Sequence, residues 1–228
     1  MLPVPLSSTV RRFSRVAACL VTLSCPAVLL ASKSPAVLAP PRHALRFTPS
    51  YANEPDIDGL NRWRRLPVRV WFDIKQGAYN DERRRAVLAG FDLWTKATDG
   101  VVSYQVVPNI RQADMVIRFV PGAYVGDDPH SIGRTGTRLR NGYIVDGFME
   151  LATTGPTMQE LTETAAHEWG HALGINGHSP NPADLMYHSA TRFLVEPGAV
   201  QPVRPHREPT ERDVNTLRNT YPDLFTPR

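Results

Sequence analysis

The sequence predicts an α+β domain in which helices pack on a mixed, mostly parallel β-sheet. This fold class follows from the order strand, helix, strand, strand across residues 68–120. Parallel strands of one sheet need a crossover connection, and a helix between two strands supplies it. Residues 67–228 provide enough chain for one hydrophobic core and contain no visible internal repeat, so we expect a single domain over this range.

The first helix is expected between two strands. Residues 68–72 are β-branched or aromatic, and residues 101–107 show the alternation of a half-buried strand. Between them, Asn80 and Asp81 can cap a helix that ends at Asp99-Gly100. Its apolar residues recur at helical spacing and predict a buried stripe made of Val87, Phe91, Trp94 and the pair Ala97 and Thr98.

Three more strands are expected before the second helix. Residues 114–120 form an apolar, β-branched run. Residues 131–138 and 143–151 are further strand candidates, and the turn residues Arg140-Asn141-Gly142 lie between them.

The second and third helices begin at capping signals. Residues Thr157 and Glu160 have the spacing of a capping box, which predicts a helix over residues 158–173. Thr210 precedes the last helix, and Pro222 ends it. The apolar side of that helix is expected to contain Val214, Leu217 and Tyr221.

Residues 167–178, which read HEWGHALGINGH, contain the most informative motif of the chain. On a helix, His167 and His171 lie on the same face, close enough to bind one metal ion. Glu168 projects beside the pair, where it can take a proton from a metal-bound water. The alternative is two solvated histidines on a helix surface, because a bare His-Glu-x-x-His pattern also occurs by chance.

A third metal ligand requires the chain to reverse. On a continued helix His178 would lie roughly 10 Å beyond His171, out of reach of the same ion. Gly174 can end the helix with a positive φ and return the chain toward the metal. His188 is the other histidine nearby, as a substitute ligand or an oxyanion donor, but a histidine on a loop is more often a surface group.

The segment from His167 to Tyr187 resembles the zinc signature of the metzincin peptidases, and within them of the matrixins. The resemblance implies a metzincin, zincin-like catalytic domain over residues 67–222. It implies that zinc is bound by three histidines and that a tight turn forms a hydrophobic floor under the metal. The implied ligands are His167, His171 and His178, and the implied turn residue is Met186.

One departure from the matrixin pattern concerns the third histidine. The family usually has two residues between the motif glycine and this histidine, whereas here Gly174 and His178 are separated by three. Asn176-Gly177 is a turn signal, so we expect a wider loop to absorb the extra residue.

The resemblance also implies an activity, namely secreted, zinc-dependent hydrolysis of peptide bonds in extended protein segments, with Glu168 as general base. Residues 131–138 would be the edge strand that accepts a peptide substrate, and residues 188–209 the far wall of the pocket. Candidate substrate-binding residues are Gly133, Thr135 and Tyr187. The alternatives are a zinc peptidase with a narrow target, such as cell-wall peptides, and a non-catalytic zinc-binding module.

A second ion is a further expectation from the same resemblance. Matrixins often bind calcium and a second zinc in the region of the polar loop that contains Asp127, Asp128 and His130. Oxygen ligands suit Ca²⁺, whereas a single histidine is too few for a second zinc.

Residues 1–39 have the composition of a secretory signal peptide. Arginines precede an apolar run over residues 16–30, and a Val-x-Ala sequence ends at Ala39. The run is short and contains Pro26, which disfavours a stable membrane span. Lipid attachment at Cys25 is the alternative. Both cysteines of the chain, Cys19 and Cys25, lie in this leader, so we expect no disulfide in the rest of the chain and no cysteine that blocks the metal.

The basic charge of the chain also belongs to the leader. The chain has 26 basic and 22 acidic residues, and the leader accounts for the difference through Arg11, Arg12, Arg15 and Lys33. We therefore expect no nucleic acid partner. Residues 40–66 are rich in proline and arginine and predict a linker or surface arm, with a turn at Asp56-x-Asp58-Gly59.

Overall fold

The fold is built on a mixed β-sheet whose buried face packs against helices. The computed structural model describes residues 45–75, 78–126, 131–188, 193–196, 199–202 and 208–225. The helices are α1 (Asp81–Ala97), α2 (Met158–Ala172) and α3 (Glu211–Thr220), with a short 3-10 helix at Ile110–Gln112. The strands are β1 (Ile57–Leu60), β2 (Arg62–Trp63), β3 (Val68–Phe72), β4 (Tyr104–Val106), β5 (Met115–Val120), β6 (Gly133–Arg140), β7 (Tyr143–Ala152), β8 (Ile175–Gly177), β9 (Phe193–Glu196) and β10 (Ala199–Pro202).

The main sheet has six strands, in the order β2-β7-β5-β3-β4, and β6 pairs with β7. The pairs β3–β4, β3–β5, β5–β7 and β2–β7 are parallel, and only β6 runs antiparallel to its neighbour. The prediction of a mixed, mostly parallel sheet is therefore confirmed. Between β6 and β7, Asn141 and Gly142 have φ values of 53° and 76°, as expected for a tight Asn-Gly turn.

Strand β4 is shorter than the run of residues 101–107 that the alternation predicts. Val101 donates its backbone N–H to the Thr98 carbonyl oxygen, and Val102 donates to the Thr98 hydroxyl oxygen. The N–H groups of the first two residues of the run therefore bond to the end of α1 and not to β3.

Alternation in the central strands separates a core face from an outer face. In β3 and β5 every second residue is buried, starting from Val68 and Met115. The core that these residues form with the helices includes Val70, Phe72, Ile117, Phe119, Met149, Leu151, Phe91, Trp94, Leu161 and Trp169. The core thus joins the sheet to α1 and α2.

Helices α1 and α2 approach each other closely at a glycine. A Cβ atom on Gly90 would lie 2.5 Å from the Thr162 carbonyl oxygen and 2.8 Å from the Ala166 nitrogen. One turn further, the Trp94 indole N–H donates to the Ala166 carbonyl oxygen at 2.8 Å. The Phe91 ring stacks on Trp169 with centroids 4.1 Å apart. These contacts fix the position of α2, the helix that carries the histidine motif.

Residues 45–66 contribute more to the fold than a surface arm would. Tyr51 is fully buried and Trp63 is nearly so. Strand β1 pairs with β8, and β2 extends the main sheet beside β7. The turn expected at Asp56-x-Asp58-Gly59 is replaced by a strand, because Asp58 and Gly59 lie inside β1. Composition could not show this, since the partner strands are more than 80 residues away in sequence.

The leader and the expected calcium loop lie outside the described residues. They comprise residues 1–39 and the positions Asp127, Asp128 and His130. Within the described part of the chain, no helix combines the length and apolar character needed to cross a membrane.

Candidate metal centre

Helix α2 places two histidines of the motif side by side. The helix begins with the expected capping box between Thr157 and Glu160. His167 and His171 lie one turn apart on one face, and their Nε2 atoms are 3.1 Å from each other. The spacing of four residues thus produces the juxtaposition that the sequence predicts.

The third histidine returns to this pair after α2 ends. Gly174 has a φ of +116°, and the chain then continues as β8 (Ile175–Gly177). The His178 ring centroid lies 5.3 Å from that of His167 and 4.9 Å from that of His171. One nitrogen from each of the three rings lies within 4.8 Å of the other two. The structure therefore brings together the three predicted ligands.

Backbone carbonyl groups set the tautomers of the two helical histidines. His167 Nδ1 lies 2.9 Å from the Leu185 carbonyl oxygen, and His171 Nδ1 lies 2.8 Å from that of Ile175. Because a carbonyl oxygen only accepts, each Nδ1 must carry the proton and each Nε2 presents a lone pair. Two lone pairs 3.1 Å apart repel each other unless a cation lies between them. The donor set consequently fits zinc, which prefers imidazole ligands oriented by hydrogen bonds of this kind.

Burial also keeps the ring nitrogens available for a metal. Desolvation lowers the pKa of His171, and the Ile175 carbonyl offsets this only in part. Desolvation, together with the neighbouring His171 and His188, lowers the pKa of His178 to about 4. Both rings are therefore neutral at pH 7, the form in which histidine binds metals.

Glu168 lies next to the triad and is almost completely buried, with 6% of its surface exposed. Within the described part of the chain, no hydrogen-bond donor reaches its Oε2 atom. Desolvation raises the pKa of Glu168 to about 7, while Thr135 has a smaller, opposite effect. A buried carboxylate oxygen without a partner beside three metal-binding nitrogens can hold or release a proton near neutral pH.

Strand β6 packs against this glutamate. A Cβ atom on Gly133 would lie 2.8 Å from Glu168 Cγ and 2.9 Å from its Oε1 atom. The Thr135 hydroxyl donates to the Glu168 carbonyl oxygen at 3.1 Å. Gly133 and Thr135, which the resemblance suggests as substrate-binding residues, thus lie at the site. Their binding of a substrate stays a prediction.

Met186 lies beneath the motif helix in a tight turn. Its side chain is fully buried, and Tyr187 N–H closes the turn on the Asp184 carbonyl oxygen. A Cβ atom on Gly170 would lie only 2.3 Å from Met186 Sδ. The glycine of the HEWGH sequence therefore lets the methionine approach the helix between the two histidines.

A buried carboxylate that sequence reasoning missed holds this turn. Asp213 of α3 is fully buried and accepts hydrogen bonds from the backbone N–H groups of Leu185 and Met186, at 2.9 and 3.3 Å. It also accepts a hydrogen bond from the Tyr51 hydroxyl at 2.7 Å. Asp213 was visible in the sequence only as the third residue after Thr210, which indicates a capping role and not a contact with the metal site.

The two residues after Met186 differ in their relation to the triad. Tyr187 is half-buried, and its ring lies 4.4 Å from that of His188. The His188 ring is exposed and its centroid is 6.3 Å from that of His178. His188 is not among the residues whose ligand atoms cluster. Half of the expected far wall, residues 188–209, lies outside the described residues; the described half comprises the hairpin β9–β10 and the ends of the segment.

A cavity of about 440 Å³ opens beside the triad. It is lined by His171 and His178, by residues of β8, by alternate residues of β6, and by Asp56, Asp58 and Asn61 in and beside β1. Within the described residues, β6 pairs only with β7, so its other edge has no partner strand. The β6 residues that line the cavity are Thr135, Thr137 and Leu139.

Comparison with known proteins agrees with this geometry. The family model described as matrixin matches residues 63–201, more than half of the 228-residue chain. No individual curated protein gives a significant match. The matched stretch contains all three histidines, the glutamate and the methionine turn, and the histidine triad fits the matrixin zinc site. The chain therefore belongs to the matrixin family of zinc peptidases.

Proposed function

We propose that this protein is a secreted endopeptidase that hydrolyses peptide bonds in extended protein segments, with Glu168 as its general base. The observation that carries the proposal is the buried Oε2 atom of Glu168, which has no hydrogen-bond partner among the residues that the structure describes, next to three clustered imidazoles. A purely structural zinc site would not need a carboxylate of this kind, because its ligands fill the coordination sphere. This argues against a non-catalytic module.

The histidines and the glutamate of the site have separate roles. His167, His171 and His178 would hold zinc through their ring nitrogens. When bound, zinc supplies a Lewis acid that polarises a carbonyl group and makes a water molecule more acidic. Glu168 accepts the proton of the attacking water at Oε2 and later donates it to the leaving amide nitrogen. Burial raises the pKa of Glu168 to about 7, and a nearby cation would lower this pKa and favour the carboxylate form that accepts the proton.

The open edge of β6 supports an extended substrate. An edge strand offers main-chain N–H and C=O groups to a peptide that joins the sheet, and such pairing ignores side-chain identity. The cavity beside β6 leads directly to His171 and His178. A peptide paired with β6 would therefore pass the triad in an extended conformation.

Secretion is supported by the composition of the leader alone. Arginines, an apolar run and a Val-x-Ala end within residues 1–39 are typical of an export signal. Detection of the processed chain in the medium of an expressing culture, with its N-terminus read by mass spectrometry, would test this part. An unprocessed chain that stays inside the cells would contradict it.

The catalytic proposal is tested by replacing Glu168. The Glu168→Ala variant should bind one zinc ion as the wild type does and lose at least about 100-fold in cleavage of an unstructured protein, since general base catalysis contributes this much. Glu163→Ala is the matched control, because Glu163 lies on the same helix and its carboxylate accepts a hydrogen bond from Gln159. Full activity of Glu168→Ala would defeat the assignment, and so would activity that survives complete chelation of the metal.

A further inference from the structure

The loop that delivers the third histidine is part of a small two-stranded sheet. Strand β8 pairs antiparallel with β1, with Gly177 opposite Ile57 and Ile175 opposite Leu60. Beyond the last pair, the Asn61 backbone N–H donates to the Gly174 carbonyl oxygen at 3.1 Å. The extra residue between the motif glycine and His178 is thus accommodated within a paired strand, and the register of this pair shifts between Ile57 and Gly59.

The backbone at either end of β1 lies close to the two glycines of this loop. A Cβ atom on Gly174 would lie 1.7 Å from the Asn61 carbonyl oxygen, and one on Gly177 would lie 1.9 Å from that of Asp56. Both glycines also have positive φ values, +116° and +126°. Only glycine allows the β1 backbone to approach the loop this closely.

Two of the three metal ligands depend on the same loop. His178 follows Gly177 directly in sequence. The Ile175 carbonyl oxygen accepts the Nδ1 proton of His171 at 2.8 Å and so directs the His171 Nε2 atom toward the triad. The Ile175 side chain is fully buried in the core. A shift of β8 would therefore move His178 and release the His171 ring together.

The β1–β8 pairing lies partly outside the stretch that the family shares. The matrixin match begins at residue 63, whereas β1 ends at Leu60. The unusual spacing before His178 and the strand that braces it thus occur together in this chain.

We infer that β1 is a positioning element of the metal centre, which holds the Gly174–His178 loop so that His171 and His178 meet the same ion. The inference rests on the proposed zinc site. Ligand orientation by hydrogen bonds outside the metal's own coordination sphere contributes about 10- to 100-fold to metal affinity. Loss of the β1 contact should lower zinc affinity by a factor in this range.

The first test compares two substitutions at one position in the full chain. Asn61→Pro removes the backbone N–H that donates to Gly174, whereas Asn61→Ala keeps it and removes the same polar side-chain atoms. Zinc affinity is measured by competition with a chromophoric chelator, and the Co²⁺ derivative is examined by visible absorption. We expect Asn61→Pro to bind zinc about 10- to 100-fold more weakly than Asn61→Ala, with an altered Co²⁺ spectrum.

The second test approaches the same contact from the loop. Gly177→Ala places a Cβ against β1, and its matched control is Gly155→Ala, where φ is +104° and no atom lies within 4 Å of the added carbon. Both variants carry backbone strain from a positive φ, but only Gly177→Ala should lose zinc affinity. The unfolding temperature of each metal-free variant is recorded beside the wild type. A merely structural role of β1 would lower this temperature and leave the affinity and the Co²⁺ spectrum of the folded protein unchanged.

The outcomes separate this inference from the proposed function. Suppose that the wild type binds zinc and cleaves protein, while Asn61→Pro and Gly177→Ala match their controls in zinc affinity. The role of β1 is then refuted, and the proposed peptidase activity is retained. A wild type that binds no zinc would overturn both. If Asn61→Pro does not fold, the comparison of Gly177→Ala with Gly155→Ala decides.

Discussion

The packing of α1 on α2 leads to a prediction that opposes helix propensity. Alanine favours a helix over glycine by about 1 kcal/mol, so Gly90→Ala in the middle of α1 would be expected to stabilise the protein. The structure predicts the opposite effect, a loss of stability. An added Cβ would meet two backbone atoms of α2, the Thr162 carbonyl oxygen at 2.5 Å and the Ala166 nitrogen at 2.8 Å.

The size of this loss depends on which atoms must move to accept the new Cβ. Backbone atoms cannot rotate away as a flexible side chain can, so the helices must separate, and this weakens the Trp94–Ala166 hydrogen bond and the Phe91–Trp169 stack. Overpacking of this kind costs about 3 kcal/mol, near the upper end of the usual range. After the gain of about 1 kcal/mol in propensity, the net loss should be about 2 kcal/mol.

Urea unfolding followed by tryptophan fluorescence measures the effect. A chelator is present throughout, because metal binding to the folded state would add stability of its own. Ala89→Gly is the matched control, since Ala89 is the exposed neighbour of Gly90 on α1, and it should lose about 1 kcal/mol from propensity alone. A Gly90→Ala protein as stable as the wild type, or more so, would refute the close approach of the two helices.

Two further predictions concern groups around the metal centre. The lowered pKa values of His171 and His178 should reduce the stability of the metal-free protein as pH falls from about 7 toward 4, because the unfolded chain binds more protons at these rings, whereas the raised pKa of Glu168 acts in the opposite sense over the same range. Thermal unfolding of the wild type and of His178→Ala isolates the contribution of His178: the unfolding temperature of His178→Ala relative to that of the wild type should rise as the pH falls. Tyr51→Phe should lower the free energy of unfolding by about 1.5–3 kcal/mol, because the buried carboxylate of Asp213 loses the hydrogen bond that the Tyr51 hydroxyl donates. Denaturant unfolding of Tyr51→Phe beside the exposed Tyr124→Phe control would measure this, and equal stability would contradict it.

Local signals were sufficient for the helices and for most of the metal site. The capping residues of α1, α2 and α3 act within one helical turn, so Asn80, Thr157 and Thr210 could be recognised from neighbouring residues alone. The positions of His167 and His171 follow from helical periodicity. The parallel sheet could be predicted as a class, because the order of elements restricts the connections between strands.

Long-range pairing was the part that the sequence did not reveal. Strand β1 is short and contains Gly59, and its partner β8 lies more than 100 residues away. Its residues have no periodicity of their own, so only the folded chain shows that they pair. Asp213 presents the same difficulty. Its position after Thr210 explains a helix cap, whereas its contacts with Leu185, Met186 and Tyr51 depend on the tertiary arrangement.

The contact between Gly133 and Glu168 separates the catalytic role of the carboxylate from metal binding. In Gly133→Ala the new Cβ would lie 2.8 Å from Glu168 Cγ, 2.9 Å from its Oε1 atom and 2.5 Å from Thr164 Cγ2. Either Glu168 rotates, or β6 moves away from α2. In both cases the carboxylate shifts by about 1 Å relative to β6, a misplacement that can cost about 100-fold in rate.

None of the three atoms that meet this carbon belongs to a histidine of the triad. Gly133→Ala should therefore keep its zinc content while its kcat for cleavage of an unstructured protein falls by about 100-fold. Gly122→Ala is the control, since its added Cβ would make only an ordinary contact at 3.5 Å. Unchanged kcat in Gly133→Ala would mean that the position of Glu168 against β6 does not limit the reaction. Loss of zinc from this variant would mean that β6 supports the triad itself, and the separation of the two roles would then be wrong.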